Sequence, residues 1–398
     1  MAAKKCGYYV GLTTLVLCTY TYGVGFGFEY QSTEMSARGN TGVAHTEHAA
    51  AAHYNPGALS FLDASRFEFN VVSIHSESHY DTGSASYSTD DDMQFSGSAF
   101  FAMPFEWLDR DWAVAISVTR PYGQSIDWPS DIFARNSGYS GELDFPQFGL
   151  SLSHRFNDSL GIGGTLNYSP STLKTSSGVV LPSDSLSFEG EDDSFSANFG
   201  ILYQPQDELR IGVSYRTGFE VDYEGDYKYV SNLAGVPNSS SEGELGFSMP
   251  SHVIVGFEYD LTSQWTVAAQ SQWTEWSVVD AFHYDAGAGA EKNPAQWNDS
   301  WMHSLGATYS YNSALDLHFG YMYAESIVND KYKTLVYSDF VQHFLSCGVS
   351  YGIEQWEVHT AAVYVITEDR SVSGSVYGAD GDYSGEGFFI NLGVARTF

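Results

Sequence analysis

The chain has no long hydrophobic run after its N-terminus and few charged residues. No stretch of about 18 apolar residues follows the first residues, and this absence excludes a helical membrane protein. Charged residues make up 17% of the 398 residues, below the roughly 25% that soluble domains usually carry. Only 17 Lys and Arg oppose 49 Asp and Glu, so the formal net charge is -32. Nucleic acid is excluded as a partner because its phosphates would repel such a chain.

Cysteine is also scarce, with three residues in the whole chain. Two of them lie within the first 20 residues, where a basic start precedes an uncharged, largely apolar stretch. This pattern predicts a secretory signal peptide over residues 1–23, with cleavage before Val24 or near Gly25. Its removal leaves only Cys347, so no intramolecular disulfide is expected.

Aromatic residues, in contrast, are abundant at 16% of the chain, and apolar residues alternate with polar ones from Arg66 onward. In Leu209–Arg216, the odd-numbered residues are apolar or aromatic and the even-numbered ones are Arg, Gly or Ser. Alternate side chains of a strand lie on opposite faces, so such a segment has one apolar and one polar face. A barrel with a lipid-facing exterior and a polar interior has this pattern.

Short polar turns and long loops rich in Gly, Ser and Asp alternate strictly along the chain. Membrane barrels show this asymmetry, and counting strands between the connections gives roughly fourteen. The last strand ends at the C-terminal Phe398 and must pair with the first strand, near residues 66–80, because a closed barrel has no free edge. We therefore predict an all-β fold, a 14-stranded antiparallel transmembrane β-barrel over residues 66–398.

Residues 24–65 do not alternate, so we place them outside the barrel wall. They include a run of alanines at 49–52 and a turn at Asn55-Pro56-Gly57. The segment is long for a simple tail and short for a large plug domain. We expect a small N-terminal hatch that plugs the lumen, and a flexible periplasmic tail is the alternative. Such a hatch argues against a wide aqueous porin.

Four stretches, taken in order, carry motifs that can be compared with known proteins. They comprise Gly25-Phe26 with residues 35–42 and 54–59; residues 118–123; residues 200–203, 215–217 and 222–225; and residues 273–277, 305–311 and 350–352. Together they span essentially the whole mature chain, and they resemble the FadL-type family of outer-membrane transporters for long-chain fatty acids and aromatic hydrocarbons. The first stretch resembles the family's hatch, with Gly57 where the family's Asn-Pro-Ala turn has alanine, and the second resembles the end of its third strand.

The resemblance implies passive uptake of hydrophobic molecules, most of all long-chain fatty acids, with aromatic hydrocarbons as the alternative. Substrate would bind among the external loops, pass to a pocket beside the hatch, and leave sideways at a kinked third strand after the hatch moves. A lateral exit keeps an apolar molecule out of water, where each exposed CH₂ costs about 0.8 kcal/mol. A structural or adhesive barrel, whose acidic loops bind a host or phage, is the alternative from another class.

The same resemblance implies a multi-pass protein of the bacterial outer membrane that is a monomer. Its surroundings would be outer-membrane lipid and lipopolysaccharide, and the barrel assembly machinery would read its C-terminal aromatic residue. The acidic residues are expected on loops and in the lumen, and bridging by divalent cations to anionic lipid is the sharper alternative. We expect no enzyme activity, cofactor or metal site, since the histidines of the hatch lack the spacing of metal ligands.

The candidate ligand-binding residues are Phe26 and Phe28 of the hatch and two lysines, Lys174 and Lys292. Approximate alignment brings the lysines near basic residues of the family's inner pocket, where a fatty acid carboxylate would need a partner. Both phenylalanines could equally pack against the wall, and both lysines could be solvated residues at the bases of loops.

Two short segments are structural candidates. At Pro121-Tyr122-Gly123, proline lacks the N–H that a strand ladder needs. The segment therefore predicts either a kink in the wall or simply the end of a strand. Asn55, Pro56 and Gly57 are expected to hold the hatch turn, whether or not the hatch moves.

Overall fold

A computed structural model describes most of the mature chain, and the expected signal peptide lies outside the described residues. Within the described part, no helix is both long enough and apolar enough to cross a membrane. The described residues are 24–90, 93–179, 181, 183–232, 235–287, 289–337 and 339–398.

The described residues form twenty strands and six short helical segments. The helices are α1 (Thr33–Ala37) and α2 (Ala51–Tyr54), and the 3₁₀ turns are Pro56–Phe61, Arg135–Ser137, Trp276–Val278 and Asp330–Tyr332. The strands are β1 (Arg66–Asp81), β2 (Ser86–Ser88), β3 (Gln94–Glu106), β4 (Asp111–Asp127), β5 (Ser140–Asn157), β6 (Leu160–Gly178), β7 (Ser185–Gln206), β8 (Leu209–Arg216), β9 (Phe219–Val230), β10 (Ser239–Met249), β11 (His252–Asp260), β12 (Trp265–Thr274), β13 (Ala281–Asp285), β14 (Glu291–Pro294), β15 (Ser300–Asn312), β16 (Leu315–Ala324), β17 (Gln342–Ile353), β18 (Trp356–Thr367), β19 (Arg370–Val372) and β20 (Gly381–Thr397).

The strands form one antiparallel sheet that closes on itself. β1 pairs with β3 on one side and with β20 on the other, in a ladder that runs from Arg66–Thr397 to Asp81–Asp382. Some barrel strands consist of two segments, and each such strand is called a stave: β8 with β9, β10 with β11, β12 with β13, β14 with β15 and β18 with β19. β2 pairs with the end of β1 on the side where β3 pairs with its beginning, so β2 adds no further strand to the wall. The prediction of a 14-stranded antiparallel barrel is therefore confirmed, and so is the pairing of the last strand with the first.

Side chains alternate between the two faces of the wall as the sequence pattern predicts. Leu305, Leu345 and Leu392 are about half exposed on the outer face, whereas His318 and His359 are buried on the inner face. This distribution is the reverse of a soluble protein, and it suits a wall with lipid outside and polar groups inside. The connections are short at one end of the barrel, the short-turn end, and long at the other, the long-loop end.

The ladder is interrupted at several neighbouring strands. Among the described residues, β4 pairs with β3 only as far as Val118, so residues 119–127 of β4, the wall gap, have no partner on β3. β5 and β6 do not pair with each other over residues 145–147 of β5 and residues 169–171 of β6. The register on either side of this interruption places Pro146 opposite Pro170. Neither proline has an N–H for the ladder. The staves built from β8–β9, β10–β11, β12–β13 and β14–β15 are also broken.

Residues 24–65, the hatch, lie inside the barrel and are largely buried. Alanine has the highest helix propensity, and its small side chain lets α2 fit against the wall. Asn55 precedes the 3₁₀ turn Pro56–Phe61, and its side chain accepts a hydrogen bond from the Gly57 N–H. Proline suits the first position of this turn because no N–H is needed there. Asn55, Pro56 and Gly57 therefore lie together at a buried turn.

Candidate substrate pathway

An aromatic cavity of about 410 Å³ lies at the long-loop end of the barrel. Phe26 of the hatch projects into it, with ring centroids 5.2 Å from Phe247 and 5.3 Å from Trp297. Phe282 and Tyr337 stack at 5.2 Å on another part of the lining. A concave site of this size, lined mainly by aromatic and aliphatic side chains, suits a small hydrophobic ligand.

The cavity has one basic side chain among its described lining residues, Lys174. Strand alternation sends Leu173 inward and Lys174 toward the outer face, so the lysine belongs to the rim of the cavity rather than its floor. Its side chain is half exposed, and its Nζ lies 3.9 Å from a carboxylate oxygen of Glu142 and 3.8 Å from one of Glu189. The other candidate, Lys292, is exposed on β14 and does not line the cavity.

The two hatch phenylalanines point to different places. Phe26 lines the cavity, whereas Phe28 is buried beside Tyr30 and Phe389, at centroid distances of 5.6 and 6.4 Å. The structure thus brings Phe26 and Lys174 to one cavity and leaves Phe28 and Lys292 outside it. Phe28 nevertheless contributes to the wall through a main-chain hydrogen bond.

Residues 26–28, the hatch strand, occupy the wall gap beside β4. The Phe28 N–H donates to the Pro121 carbonyl at 2.8 Å, and the Gly123 N–H donates to the Phe26 carbonyl at 2.9 Å. These two bonds flank an antiparallel bridge between Gly27 and Tyr122. The hatch strand therefore takes the place that β3 vacates.

Pro121 lies within this irregular part of β4. The β4–β5 register shifts between Thr119 and Tyr122, and β4 continues beyond the shift to Asp127. Tyr122 itself is buried, and its ring meets Phe145 edge-on at 5.4 Å. Pro121-Tyr122-Gly123 thus lies at an irregularity inside the strand, next to the hatch strand.

Gln31 joins the hatch to both edges of the wall gap. Its side-chain amide donates to the Arg120 carbonyl at 2.7 Å, and its Oε1 accepts from the Arg120 N–H at 2.9 Å. On the other edge, the Ser98 hydroxyl of β3 donates to the Gln31 carbonyl. A glutamine side chain can replace a main-chain partner in this way because it carries one acceptor and two donors. Sequence reasoning missed Gln31, since nothing in its local pattern marks it.

The loop between β16 and β17 folds inward over the cavity. The Trp128 indole donates to the Leu335 carbonyl at 3.0 Å, and Arg370 binds carboxylate oxygens of Asp339 and Asp330 at 2.6 and 2.7 Å. Lys333 is buried in this loop, and burial lowers its pKa to about 7, although Asp339 counteracts the effect. The loop is therefore fixed by charge pairs, and its lysine is poorly suited to hold a carboxylate at neutral pH.

A polar cluster fixes the hatch to the wall below the cavity. Arg38 of the hatch pairs with Glu258 of β11, and both side chains are buried. His45 and Arg210 reach the same carboxylate, each at 3.0 Å. Burial disfavours a charged His45, but Glu258 and then Glu34 outweigh it and raise the pKa of His45 to about 9. His45 is thus a cation at neutral pH and helps to hold the hatch.

The family model described as outer membrane protein transport protein (OMPP1/FadL/TodX) matches residues 14–398. The chain belongs to this family. It is therefore an outer-membrane transport protein of the FadL type and not an enzyme. The resemblance noted in its sequence is confirmed.

Individual FadL-type proteins are distant from this chain in sequence but similar in fold. The long-chain fatty acid transport protein of Escherichia coli O6:H1 is 22% identical over 394 residues, which cover 87% of each chain. The crystal structure of a Pseudomonas aeruginosa FadL homologue has a TM-score of 0.83 and 16% identity, covering 94% of this chain and 100% of that one. The toluene transporter TodX of Pseudomonas putida has a TM-score of 0.75 and 17% identity, covering 93% and 99%. At these identities the structural likeness establishes the fold alone.

Proposed function

We propose that this protein takes up long-chain fatty acids and releases them sideways through the wall gap between β3 and β4. One observation carries the proposal: the hatch strand completes the wall at the gap, and its first residue, Phe26, also lines the aromatic cavity. Movement of this one segment would join the cavity to the gap. Substrate would enter at the long-loop end, which faces outward in membrane barrels.

A fatty acid would place its acyl chain against the aromatic floor and its carboxylate at the rim, near Lys174. The floor offers Phe26, Phe247 and Trp297, and apolar surface buried there gains roughly 25 cal/mol per Å². The rim lysine is half exposed, and its present ion pairs are long at 3.8–3.9 Å. Such exposed pairs are weak, so a substrate carboxylate could exchange with them. The name of the Escherichia coli relative agrees with this substrate class.

Aromatic hydrocarbons are the second candidate. The ring-lined cavity would hold a neutral aromatic molecule without any charged partner, and edge-to-face ring contacts add about 0.5–1.5 kcal/mol each. Lys174 already has two carboxylate partners, which a neutral ligand would leave undisturbed. The toluene transporter among the structural relatives agrees with this class.

A disulfide across the wall gap tests the exit route. Gly27 and Tyr122 are bridge partners flanked by hydrogen bonds, an arrangement with Cα atoms about 4.5 Å apart and within disulfide range. Gly27→Cys with Tyr122→Cys, in a Cys347→Ala background, should block uptake when oxidised and restore it when reduced. Undiminished oleate uptake by fully cross-linked protein would refute the lateral exit.

The matched control places the same cross-link where β3 and β4 remain paired. Ala99 and Val118 are direct partners just below the gap, so Ala99→Cys with Val118→Cys should leave uptake unchanged. Transport itself is tested by deletion of the protein. If cells without it take up oleate and toluene as fast as cells with it, the structural or adhesive alternative replaces the proposal.

Substitution of the rim lysine separates the two substrate classes. Lys174→Met should weaken oleate binding by about two- to fivefold, as expected for loss of a partly exposed ion pair, and leave toluene binding unchanged. Lys292→Met is the control, because Lys292 is exposed outside the cavity. If Lys174→Met affects neither ligand while toluene binds and oleate does not, the hydrocarbon is the substrate.

A further inference from the structure

We propose that Trp276 is a latch that holds the hatch strand in the closed wall, and that a ligand in the cavity releases it through Phe26 and Trp297. The latch is a positioning residue, since it does not line the cavity itself. The inference rests on the proposed function only where it links release of the latch to transport. The position of the hatch strand can be measured separately from uptake.

Breaks in two neighbouring staves put both tryptophans into the lumen. β12 ends at Thr274, and the 3₁₀ turn Trp276–Val278 precedes β13. On the next stave, residues 295–299 separate β14 from β15. The Trp297 N–H donates to the Val279 carbonyl at 3.2 Å, which ties the two breaks together. Trp276 and Trp297 are both almost fully buried. The interruptions of the two staves therefore place two indole rings beside the hatch.

Gly25 lies directly under the Trp276 ring. A Cβ at this position would lie 2.8 Å from the Trp276 Cη2 and 2.8 Å from the Ile327 Cδ1. The φ of Gly25 is +62°, a conformation that favours glycine. The indole therefore covers the backbone with no room for a methyl group. Because Gly25 immediately precedes the hatch strand, holding it also holds the bridge at Gly27.

Ring contacts connect the cavity to this latch. Phe26 and Trp297 line the cavity, with centroids 5.3 Å apart. Trp276 lies outside the lining but meets Trp297 at 5.5 Å and Phe26 at 6.1 Å, both edge-on. A ligand that displaces Phe26 or Trp297 must therefore disturb Trp276, although it does not touch it. The closed wall is thus sensitive to occupancy of the cavity.

The rate of disulfide formation between Gly27→Cys and Tyr122→Cys, with Cys347→Ala, reports the closed position. Trp276→Ala should lower this rate about fivefold or more, because two ring contacts are lost. Trp276→Phe should retain most of it. Trp301→Ala is the matched control, since Trp301 is an exposed outward-facing residue of β15. A wild-type rate for Trp276→Ala in a barrel that still shows heat-modifiable migration would overturn the proposal.

A double-substitution cycle tests whether Gly25 and Trp276 act together. Gly25→Ala alone should also lower the cross-linking rate, because its methyl group meets the indole. In the double variant the clash with the indole is absent, whereas the contact with Ile327 and the positive φ of residue 25 remain. The combined fall in rate should therefore be smaller than the product of the two single falls. Contacting residues are expected to show such non-additivity. Full additivity would mean that the two sites are independent and would refute the latch.

Ligand addition tests the coupling, with sodium oleate and toluene as probes. Either ligand that occupies the cavity should slow cross-linking in the wild-type reporter but have little further effect with Trp276→Ala. A ligand that binds without changing the wild-type rate would overturn the coupling. If cross-linking responds as expected while oleate and toluene uptake are absent from cells, the latch stands and the proposed transport function fails.

Discussion

In the charge cluster that fixes the hatch, we expect unequal effects when one or the other member of the same ion pair is replaced. Glu258 has three cationic partners, namely Arg38, His45 and Arg210. Arg38 has Glu258 as its close carboxylate partner, with Glu34 farther away at 3.9 Å. We therefore expect Glu258→Gln to loosen the hatch more than Arg38→Met, although each removes one member of the same ion pair.

The structure gives the expected size of each effect. Removing one partner of a buried pair costs about 3–5 kcal/mol, because the remaining charge has no compensation. Glu258→Gln leaves Arg38 and His45 with Glu34 and leaves Arg210 with Asp260, so its cost should lie within that range, at about 3–5 kcal/mol. Arg38→Met leaves the Glu258 carboxylate with two cations, so the loss should be about 2 kcal/mol, the value of one hydrogen bond to a charged group.

Hydrogen exchange of the hatch measures these losses without unfolding the barrel. The Asn40 N–H, which donates to the Met35 carbonyl at 2.7 Å, is a suitable probe. Its exchange should accelerate by at least about a hundredfold with Glu258→Gln and by about thirtyfold with Arg38→Met. Glu244→Gln, an exposed acidic residue of β10, is the control. If Arg38→Met proves as damaging as Glu258→Gln, the buried-charge reasoning is wrong.

Three further predictions concern the hatch and use the same exchange measurement. Gly57→Ala should cost about 1–3 kcal/mol through overpacking, since its Cβ would lie 2.7 Å from the Gly200 carbonyl oxygen. Asn55→Asp should cost about 1–3 kcal/mol, because it keeps the capping acceptor but loses both donated hydrogen bonds. The raised pKa of His45, about 9 against 6.5, contributes stability that is complete below pH 6.5 and lost as the pH rises through 9. The protection factors of the hatch amides, which exclude the intrinsic base-catalysed rise in exchange, should therefore fall across that window.

Each of these predictions has a variant that isolates its cause. Gly352→Ala should be nearly neutral, because the nearest atoms to its Cβ are 3.9 Å away. Asn55→Ala should cost more than Asn55→Asp, and equal losses would contradict the capping role. His45→Gln should abolish the fall in hatch protection factors between pH 6.5 and 9, and persistence of that fall would assign it to another group.

Most of the fold was predictable because strand alternation and turn spacing are local signals. The closing ladder, from Arg66–Thr397 to Asp81–Asp382, required only the further rule that a barrel has no free edge. The residues around the cavity were harder to predict. Lys174 and Lys292 look alike in sequence, yet only Lys174 reaches the cavity rim. Their difference depends on where the wall is interrupted, which no short pattern specifies.

Short sequence patterns also fail to specify the residues that close the wall gap. The Gln31 side chain bonds the main chain of Arg120 on β4, and the Gln31 carbonyl accepts from the Ser98 hydroxyl of β3. Trp297 enters the lumen where the stave of β14 and β15 is interrupted. Both positions depend on contacts between residues far apart in the chain. Pro121 was the exception, because the missing N–H of proline is a property of the residue itself.

Proline also bears on what an open wall would cost. If the hatch strand leaves, the Gly123 N–H loses its partner and so does the Pro121 carbonyl. Each unpaired backbone group that faces lipid costs several kcal/mol. A strand edge with all its N–H and C=O groups unpaired would therefore strongly oppose opening of the wall. Pro121 contributes no N–H to that edge, and Pro146 and Pro170 contribute none to the neighbouring ladder. Pro121 therefore reduces the number of donors that an opening wall must leave unsatisfied. Proline at the gap would lower the barrier to the proposed lateral exit, and the hatch strand would be left as the main element that keeps the wall closed.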